Sequence, residues 1–197
     1  MKTIFIQFLF IFHSYFMLNA AIPSGYYDSA SGLDDSNLKT ALNNIIDGHT
    51  EFPYSSSSTD VWDILKLSDR DPNNSNNVLC VYTQYSINAS DEYNSGNGWS
   101  REHVWAKSHG DFGTSAGAGT DLHNLRAIDC QMNSTRNNNV FEDSSGNAAL
   151  TSNGFYPGDE FRGDVARIIM YMYIRYPTQA APNDIAYSSN TYHSDMP

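Results

Sequence analysis

Basic side chains are scarce in this sequence. Lysine and arginine together number 11, against 22 aspartate and glutamate residues, and the formal net charge is −11. This balance argues against a protein that binds polyanions through a broadly basic surface. Seven of the basic residues nevertheless fall between positions 101 and 175: Arg101, Lys107, Arg126, Arg136, Arg162, Arg167 and Arg175. We therefore expect only modest affinity for a polyanion, with strong dependence on salt and divalent cations.

Cysteine is also scarce, because the chain has only Cys80 and Cys130. A framework of several disulfides is excluded, although in an oxidising compartment these two residues could pair with each other. The alternative is that each is a small buried hydrophobic side chain. Cys80 lies in a strand-like run and Cys130 in a helix-like one, and the sequence leaves both interpretations open.

Long apolar runs are missing after the first twenty residues, so no later segment is predicted to span a membrane. Near the start, Lys2 precedes a mostly apolar stretch at residues 4–18, and the small residues Ala20 and Ala21 follow it. This order is typical of a secretory signal peptide. A membrane anchor is the alternative, but polar residues interrupt the stretch, which falls short of the roughly 20 apolar residues of a span. We predict a signal peptide at residues 1–20, and a secreted or periplasmic mature chain that does not bind membranes.

The mature chain, residues 21–197, has the length and composition of one compact domain. Hydrophobic residues make up 40% of the sequence and aromatic residues 13%, which is enough for a core. Hydrophobic spacing and turn signals predict an α+β fold. Helices are expected at 38–46, after Asp60, at 127–137 and at 161–172. Strands are expected at 78–87 and 99–105. A turn is expected at 71–77 and a glycine-rich loop at 110–120.

Residue types suited to phosphodiester hydrolysis concentrate between positions 101 and 136. His103 has an unperturbed pKa near neutrality and suits a general base, while Glu102 and Asn133 offer the hard oxygen ligands that Mg²⁺ or Ca²⁺ prefers. Arg126 and Arg136 are expected to hold a phosphate on the same side. Adjacent residues of a regular strand point to opposite faces, so Glu102 and His103 can share a site only at a bulge or a strand end.

Three ordered segments around these residues resemble the bacterial extracellular endonuclease I family. They are REHVWAKS at 101–108, TDLHNLRAID at 120–129 and MNSTRNN at 132–138. The segments AIPSGYY at 21–27 and GDVARIIMYMYIRY at 163–176 are also similar to the mature start and a later helix of that family. The resemblance covers most of the mature chain in order, and identifies residues 21–197 as an endonuclease I-like catalytic domain.

The resemblance implies a ββα-metal, or His-Me finger, core with surrounding helices. It places His103 at the general-base position and Glu102 and Asn133 at the metal-ligand positions. The metal is expected to be Mg²⁺, with Ca²⁺ or Mn²⁺ as substitutes, and to stabilise the phosphorane and the leaving 3′ oxygen. The implied activity is sequence-nonspecific cleavage of DNA, and in many members RNA, to products with a 5′-phosphate. The protein is expected to act as a monomer.

Further residues receive supporting roles. Asp121, His123 and Asn124 are predicted to brace the loop before the catalytic helix through hydrogen bonds. Three basic side chains are candidates for nucleic-acid binding: Arg101, Lys107 and Arg167. Arg101 could equally point away from the site because of strand alternation, and Arg167 could instead pair with an acid such as Asp164.

The chain departs from the family pattern in two places. Some members place a catalytic arginine between the general base and the catalytic helix, whereas residues 104–120 contain only Lys107. Arg126 or Arg136 is then expected to take that role. The family usually continues with another helix and a closing segment, so the C-terminal part is expected to be missing.

Two other functions remain open from the sequence. One is a catalytically impaired homologue that acts as a secreted nucleic-acid-binding protein. The other is a structural zinc site built from four side chains, although their spacing matches no standard zinc framework. Those side chains are His103, His109, His123 and Cys130.

Overall fold

The structure is a computed structural model that describes residues 22–181. The predicted signal peptide at 1–20 and the chain end at 182–197 lie outside the described residues. Five helices and small antiparallel sheets confirm the predicted α+β class. The helices are α1 (Asp35–Ile46), α2 (Val61–Ser68), α3 (Lys107–Gly110), α4 (Cys130–Arg136) and α5 (Arg162–Arg175). The strands are β1 (Arg70–Asp71), β2 (Asn74–Leu79), β3 (Ser86–Asn88), β4 (Trp99–His103), β5 (Leu125–Asp129), β6 (Ala149–Leu150) and β7 (Phe155–Tyr156).

A two-stranded antiparallel sheet followed by a helix forms the centre of the molecule. Strand β4 pairs with β5 in an unbroken register that runs from Trp99 opposite Asp129 to His103 opposite Leu125. Helix α4 begins directly after β5, because the Asp129 side chain accepts a hydrogen bond from Met132 N at 2.8 Å and caps the helix. Helix α4 then packs against both strands.

The helix predicted at 127–137 is therefore three residues too long at its start. Residues 127–129 belong to β5, which the sequence patterns did not predict as a strand. Periodicity could not distinguish a strand from a helix here, because the apolar residues Leu125, Ala127 and Ile128 span too short a segment to separate the two.

The strand predicted at 78–87 is wrong as a continuous element. Strand β2 ends at Leu79 and β3 begins at Ser86, and between them the chain turns, with positive φ at Tyr82 (68°) and Gln84 (56°). The hydrogen bond from Cys80 N to Tyr85 O, 2.9 Å long, closes this turn. The turn predicted at 71–77 is too long at its end, because β2 already starts at Asn74. The aromatic and β-branched residues of this turn led to the wrong prediction. Their high β propensity reflects how they pack in a sheet, and not a preference of the backbone for an extended conformation.

Three longer helices follow the sequence predictions more closely. Helix α2 starts where Asp60 accepts hydrogen bonds from Trp62 N (2.8 Å) and Asp63 N (3.3 Å). Helix α5 ends at Arg175, two residues before Pro177, because the residue before a proline disfavours the helical conformation. Helix α1 has no buried residue, and the face that its apolar spacing presents to the rest of the described chain is half-buried. Asn43 of α1 donates to Ile174 O and Arg175 O at the end of α5, which ties these two helices together.

Two hydrophobic clusters pack around the central β4–β5 pair. One contains Val61 and Leu65 of α2 together with Trp99, Leu125 and Ala127 of the strands. The other contains Ile128 of β5, the residues that follow β4, and the inner face of α5. Contacts on both sides make β4 and β5 a rigid support for the side chains they carry.

Both cysteines are buried, and both thiols are free. The disulfide alternative is therefore not realised in this structure. Burial raises the pKa of the Cys80 thiol to about 12, and the Cys130 thiol donates to Tyr93 O at 3.7 Å. Within residues 22–181, none of the helices has the length and apolarity needed to cross a bilayer.

Candidate functional site

A cavity of about 380 Å³ runs along β4 and the C-terminal half of α4. Four consecutive β4 residues, 100 to 103, line it, and Asn133 of α4 lies across from them. Six of the residues singled out from the sequence therefore border one cavity: Arg101, Glu102, His103, Lys107, Asn133 and Arg136.

Two adjacent strand residues, Glu102 and His103, both line this cavity. Consecutive residues of a regular strand alternate between faces, so the sequence predicted a bulge or a strand end here. The β4–β5 register has no bulge. His103 is also the last residue of β4, the strand-end position that was expected.

The His103 ring is buried and held on three sides. Its Nε2 lies 2.9 Å from Gly119 O, and because a carbonyl oxygen only accepts, Nε2–H is the donor. The ring stacks on Tyr54, with centroids 5.7 Å apart, and approaches Phe112 at 6.1 Å. Burial lowers the pKa of His103 to about 4, so the ring is neutral at neutral pH and Nδ1 is its acceptor.

The Glu102 carboxylate is almost fully buried beside the hydroxyl of Tyr82 and the guanidinium of Arg136. The Tyr82 hydroxyl donates to Oε1 at 3.0 Å, and Arg136 Nε lies 3.4 Å from the same oxygen. Burial raises the pKa of Glu102, while the Arg136 charge and the Tyr82 hydrogen bond act against that rise. Both partners engage Oε1, and the residue itself borders the cavity.

Arg136 is buried at the end of α4 and donates mainly to the backbone. Its guanidinium contacts Val104 O at 2.8 Å, Asn137 O at 3.1 Å and His103 O at 3.3 Å. Its Nε forms no aligned hydrogen bond, so it meets Glu102 as an ion pair only. These contacts join the C-terminal end of β4 to α4, so Arg136 holds these elements together and also brings positive charge to the cavity.

Arg101 and Lys107 contribute charge to the cavity in different ways. The Arg101 guanidinium is sandwiched between the rings of Tyr54 and Trp62, at 3.5 Å and 4.1 Å from their centroids, and donates to Tyr54 O. Burial lowers the pKa of Arg101. Lys107, at the start of α3, is exposed and has no ion-pair partner among residues 22–181. Of these two cations, Lys107 is the one free to move toward a ligand.

Two other predicted arginines do not border the cavity. Arg126 lies opposite Glu102 on β5, but its Nε pairs with Asp69 at 3.2 Å. Arg167 lies on the exposed face of α5 and pairs with Asp164, which is the alternative that the sequence left open. Sequence spacing could not show which acid each arginine pairs with, because the packing of the chain decides both pairs.

Asp121, His123 and Asn124 form the loop that leads into β5. The Asp121 carboxylate accepts hydrogen bonds from Tyr171 and Tyr176 of α5, at 2.9 Å and 2.8 Å, and from His123 N at 2.8 Å. Burial alone would raise the pKa of Asp121, but these hydrogen bonds outweigh it and lower the pKa. Hydrogen bonding to Asp121 raises the pKa of His123.

Asn124 connects this loop to the segment after β4. Its side-chain amide pairs with both backbone groups of Trp105, accepting from N at 2.7 Å and donating to O at 3.2 Å. The residue is fully buried. The three loop residues thus lie outside the cavity and hold its walls in place.

Oxygen donors for a hard cation are present at the cavity. Glu102 brings a carboxylate and Asn133 a side-chain amide, the donor types that Mg²⁺ takes while retaining several waters. Among residues 22–181, no group of three or more histidine, cysteine or acidic side chains is arranged to hold a metal. The side chains of the zinc alternative are engaged separately, because His103 pairs with Gly119 O, His109 with Asn138 O and His123 with Asp121.

Sequence reasoning missed several residues that line the cavity or contact the residues that do. Tyr54 stacks on both His103 and Arg101, although it lies far from them along the chain. Tyr82 reaches Glu102 from the turn that was mistaken for a strand. Ser100, Asn137 and Asn138 also line the cavity, and only their nearness to the matching segments could have indicated them.

Comparison with known proteins gives a consistent family. The family model for endonuclease I matches residues 35–196. The extracellular ribonuclease of Bacillus amyloliquefaciens is 44% identical over 178 residues, which cover 87% of this chain and 60% of that protein. The extracellular ribonuclease of Bacillus subtilis (strain 168) is 43% identical over 180 residues, with the same coverage. The chain thus spans about 60% of the length of these relatives. No solved structure matches the chain.

Proposed function

Because the chain belongs to the endonuclease I family, we propose that it is a secreted nuclease that hydrolyses phosphodiester bonds in the cavity beside β4. The observation that carries this proposal is the assembly of Glu102, His103 and Asn133 around one cavity that also receives Arg101, Lys107 and Arg136. A base, oxygen ligands for a cation and positive charge are the groups that phosphodiester hydrolysis needs.

His103 is the proposed general base. Its Nε2–H is engaged by Gly119 O, so Nδ1 is the nitrogen that takes the proton of the attacking water. Tyr54 and Phe112 hold the ring, so that it does not have to reorient when the proton arrives. A phosphate anion bound beside the ring favours the imidazolium and offsets the effect of burial.

Glu102 and Asn133 are the proposed ligands of one Mg²⁺. When bound, the cation would stabilise negative charge on the phosphoryl group and on the departing 3′ oxygen. Tyr82 and Arg136 hold the Glu102 carboxylate at the cavity wall. The order of β4, β5 and α4 in the chain, strand–strand–helix, supports the proposal that these elements are a His-Me finger core.

The cations define how the substrate is held. Lys107 and Arg101 can contact phosphate oxygens, and Arg136 keeps the β4 end in place. Contacts to phosphate carry no sequence information, so cleavage should be sequence-nonspecific. A monomer is the proposed active unit.

Both RNA and DNA are proposed substrates. The two relatives are named ribonucleases, which makes RNA the first substrate to test. Attack by water forms a new bond from the water oxygen to phosphorus while the bond to the 3′ oxygen breaks. The products then carry a 5′-phosphate and a 3′-hydroxyl. A reaction through the RNA 2′-hydroxyl would instead leave a 2′,3′-cyclic phosphate, and it could not act on DNA.

The test is cleavage of 5′-labelled RNA and DNA oligonucleotides with Mg²⁺, with EDTA, and by the His103→Ala variant. We expect Mg²⁺-dependent cleavage that His103→Ala reduces at least about 100-fold, the lower range for removal of a general base. Mass spectrometry of the products should show 5′-phosphate ends on both nucleic acids. His49→Ala is the matched control, because His49 is a histidine that does not line the cavity, and it should retain activity. Cleavage that survives both EDTA and His103→Ala would refute the mechanism, and binding without any cleavage would favour the impaired homologue.

A further inference from the structure

A second cavity opens beside the first one. It has a volume of about 370 Å³ and is lined by residues of the 93–100 segment and of α4. Ser100 and Asn133 border both cavities, so the two are neighbours across one shared wall. We call the second one the side cavity. A substrate whose phosphate occupies the first cavity would place an adjacent part of the same strand in the side cavity.

The two cavities differ in chemistry. The first is bordered by the cations Arg101, Lys107 and Arg136, whereas the residues that line the side cavity carry no formal charge. The side cavity offers the neutral polar groups of Gln131 and Ser134 and an aromatic ring, that of Tyr93. Neutral hydrogen-bonding groups with an aromatic ring suit a nucleobase, and not a phosphate.

Tyr93 is unusually exposed for an aromatic residue in a folded domain. Its relative exposure is 62%, although its backbone is tied to the central sheet. Tyr93 N donates to Trp99 O at 2.7 Å, and Tyr93 O accepts from Gly98 N at 3.2 Å. The Cys130 thiol of α4 also donates to Tyr93 O. The ring is thus available to a ligand, while its backbone is anchored to the elements that carry the first cavity.

The backbone around Tyr93 adopts a conformation that only local constraints can maintain. Tyr93, Asn94 and Ser95 have φ values of 54°, 38° and 54°, in the left-handed region that side-chain-bearing residues seldom adopt. Such conformations persist where surrounding contacts over-determine them, and they cluster at ligand-binding sites. Here the constrained segment directs one exposed aromatic side chain toward the side cavity.

We propose that the side cavity binds the nucleobase of a nucleotide next to the scissile phosphate, with Tyr93 as its stacking platform. This inference rests on the proposed nuclease function, since it assumes that the phosphate occupies the first cavity. A base inside a duplex is already stacked on both faces and cannot present one to Tyr93. The side cavity therefore contributes to the binding of single-stranded or locally unpaired nucleic acid, with little preference for sequence, and contributes nothing to the binding of a duplex.

The test combines Tyr93 variants with substrates that lack bases. Binding is measured by fluorescence anisotropy in EDTA, which prevents cleavage. The ligands are a single-stranded octanucleotide, the same chain with stable abasic residues at every position, and a hairpin duplex. The protein variants are wild type, Tyr93→Ala, Tyr93→Phe and Tyr85→Ala. Tyr85 is the matched control, since it is a tyrosine of 61% exposure that borders neither of the two cavities.

We expect Tyr93→Ala to weaken binding of the single-stranded octanucleotide about 5- to 100-fold, the range found when a stacking platform is removed. Binding of the abasic chain and the duplex should change less than about twofold, since neither offers a base face. Tyr93→Phe keeps the ring and should bind like wild type, as should Tyr85→Ala. Thermal unfolding of each variant serves as the folding control.

Unchanged binding of the octanucleotide by Tyr93→Ala would overturn the proposal. Equal weakening for the octanucleotide and the abasic chain would also overturn it, because the role of Tyr93 would then be structural. Cleavage assays with Mg²⁺ separate the proposed base-binding site from the proposed nuclease activity. Cleavage without a Tyr93 effect refutes the base subsite alone, whereas a Tyr93 effect on binding without cleavage refutes only the nuclease activity.

Discussion

The Asn124→Ala variant tests whether the loop before β5 holds the candidate site together. Asn124 is fully buried, and its amide pairs with both the N–H and the carbonyl of Trp105, two residues after His103. Alanine removes both partners and leaves two backbone groups unpaired in a region that water does not reach. The segment after β4 then loses its side-chain attachment to the loop.

The size of the effect follows from those two hydrogen bonds. A buried backbone group left without a partner costs about 1 to 3 kcal/mol. Two such groups give an expected loss of about 2 to 6 kcal/mol in the free energy of unfolding. For a domain of this size, that corresponds to a drop of about 4 to 24 °C in the midpoint of thermal unfolding.

Circular dichroism during heating, and urea denaturation at 25 °C, measure this loss. The matched control is Asn44→Ala, because Asn44 is exposed on α1, and its free energy of unfolding should change by less than about 0.5 kcal/mol. If Asn124→Ala also stays within about 0.5 kcal/mol of wild type, the reasoning from unpaired backbone groups is refuted. A loss that appears only in activity, with unchanged unfolding, would likewise contradict it.

Four further perturbations have definite expected outcomes. Tyr82→Phe removes the hydroxyl that donates to the buried Glu102 carboxylate at 3.0 Å, and should lower the free energy of unfolding by about 1.5 to 3 kcal/mol in urea denaturation. The pKa of Asp121 is lowered, so its contribution to stability is complete above its ordinary value of 3.8 and is lost as the pH falls below it. Asp121→Asn should therefore flatten the acid limb of a stability–pH curve. The pKa of His123 is raised, so its contribution is complete below 6.5 and is lost as the pH rises further. The difference in unfolding free energy between wild type and His123→Ala should then shrink between about pH 6 and pH 8, and a constant difference would contradict the assignment. In Gly98→Ala the new Cβ would overlap a backbone carbonyl oxygen, so the thermal midpoint should drop by an amount equivalent to at least about 1 to 3 kcal/mol. An unchanged midpoint would show that the 93–98 segment is not constrained as described.

Some parts of the fold were predictable because their signals are local. The Asp60 cap and the proline after α5 act within a few residues, and both helices they bound were predicted in place. The turn at 80–85 and strand β5 were missed for the opposite reason. Strand β5 exists because β4 pairs with it, and the turn exists because β3 folds back on β2. Neither partner is visible in a short window of sequence.

The site shows the same division between local and tertiary information. Glu102, His103 and Asn133 could be selected from residue type and from the ordered family segments, which also indicated the fold class. Which cations share their cavity could not be selected in this way. Arg101, Arg126, Arg136 and Arg167 are chemically equivalent in the sequence, and packing assigns them to different partners.

The sequence by itself determined the family and the α+β class, because ordered segments and short-range spacing carry that information. It also selected Glu102, His103 and Asn133 as the candidate acid, histidine and amide from their residue chemistry. Only the tertiary structure decided how Glu102 and His103 share a cavity. Both line the cavity beside β4, with His103 at the strand end and with no bulge in the β4–β5 register. Tertiary structure also decided that Tyr54, Tyr82 and Tyr93 surround the site, since each reaches it from a segment distant in the chain or from a loop. The physical reason is that side-chain chemistry is local, whereas strand edges and cavities arise from long-range packing.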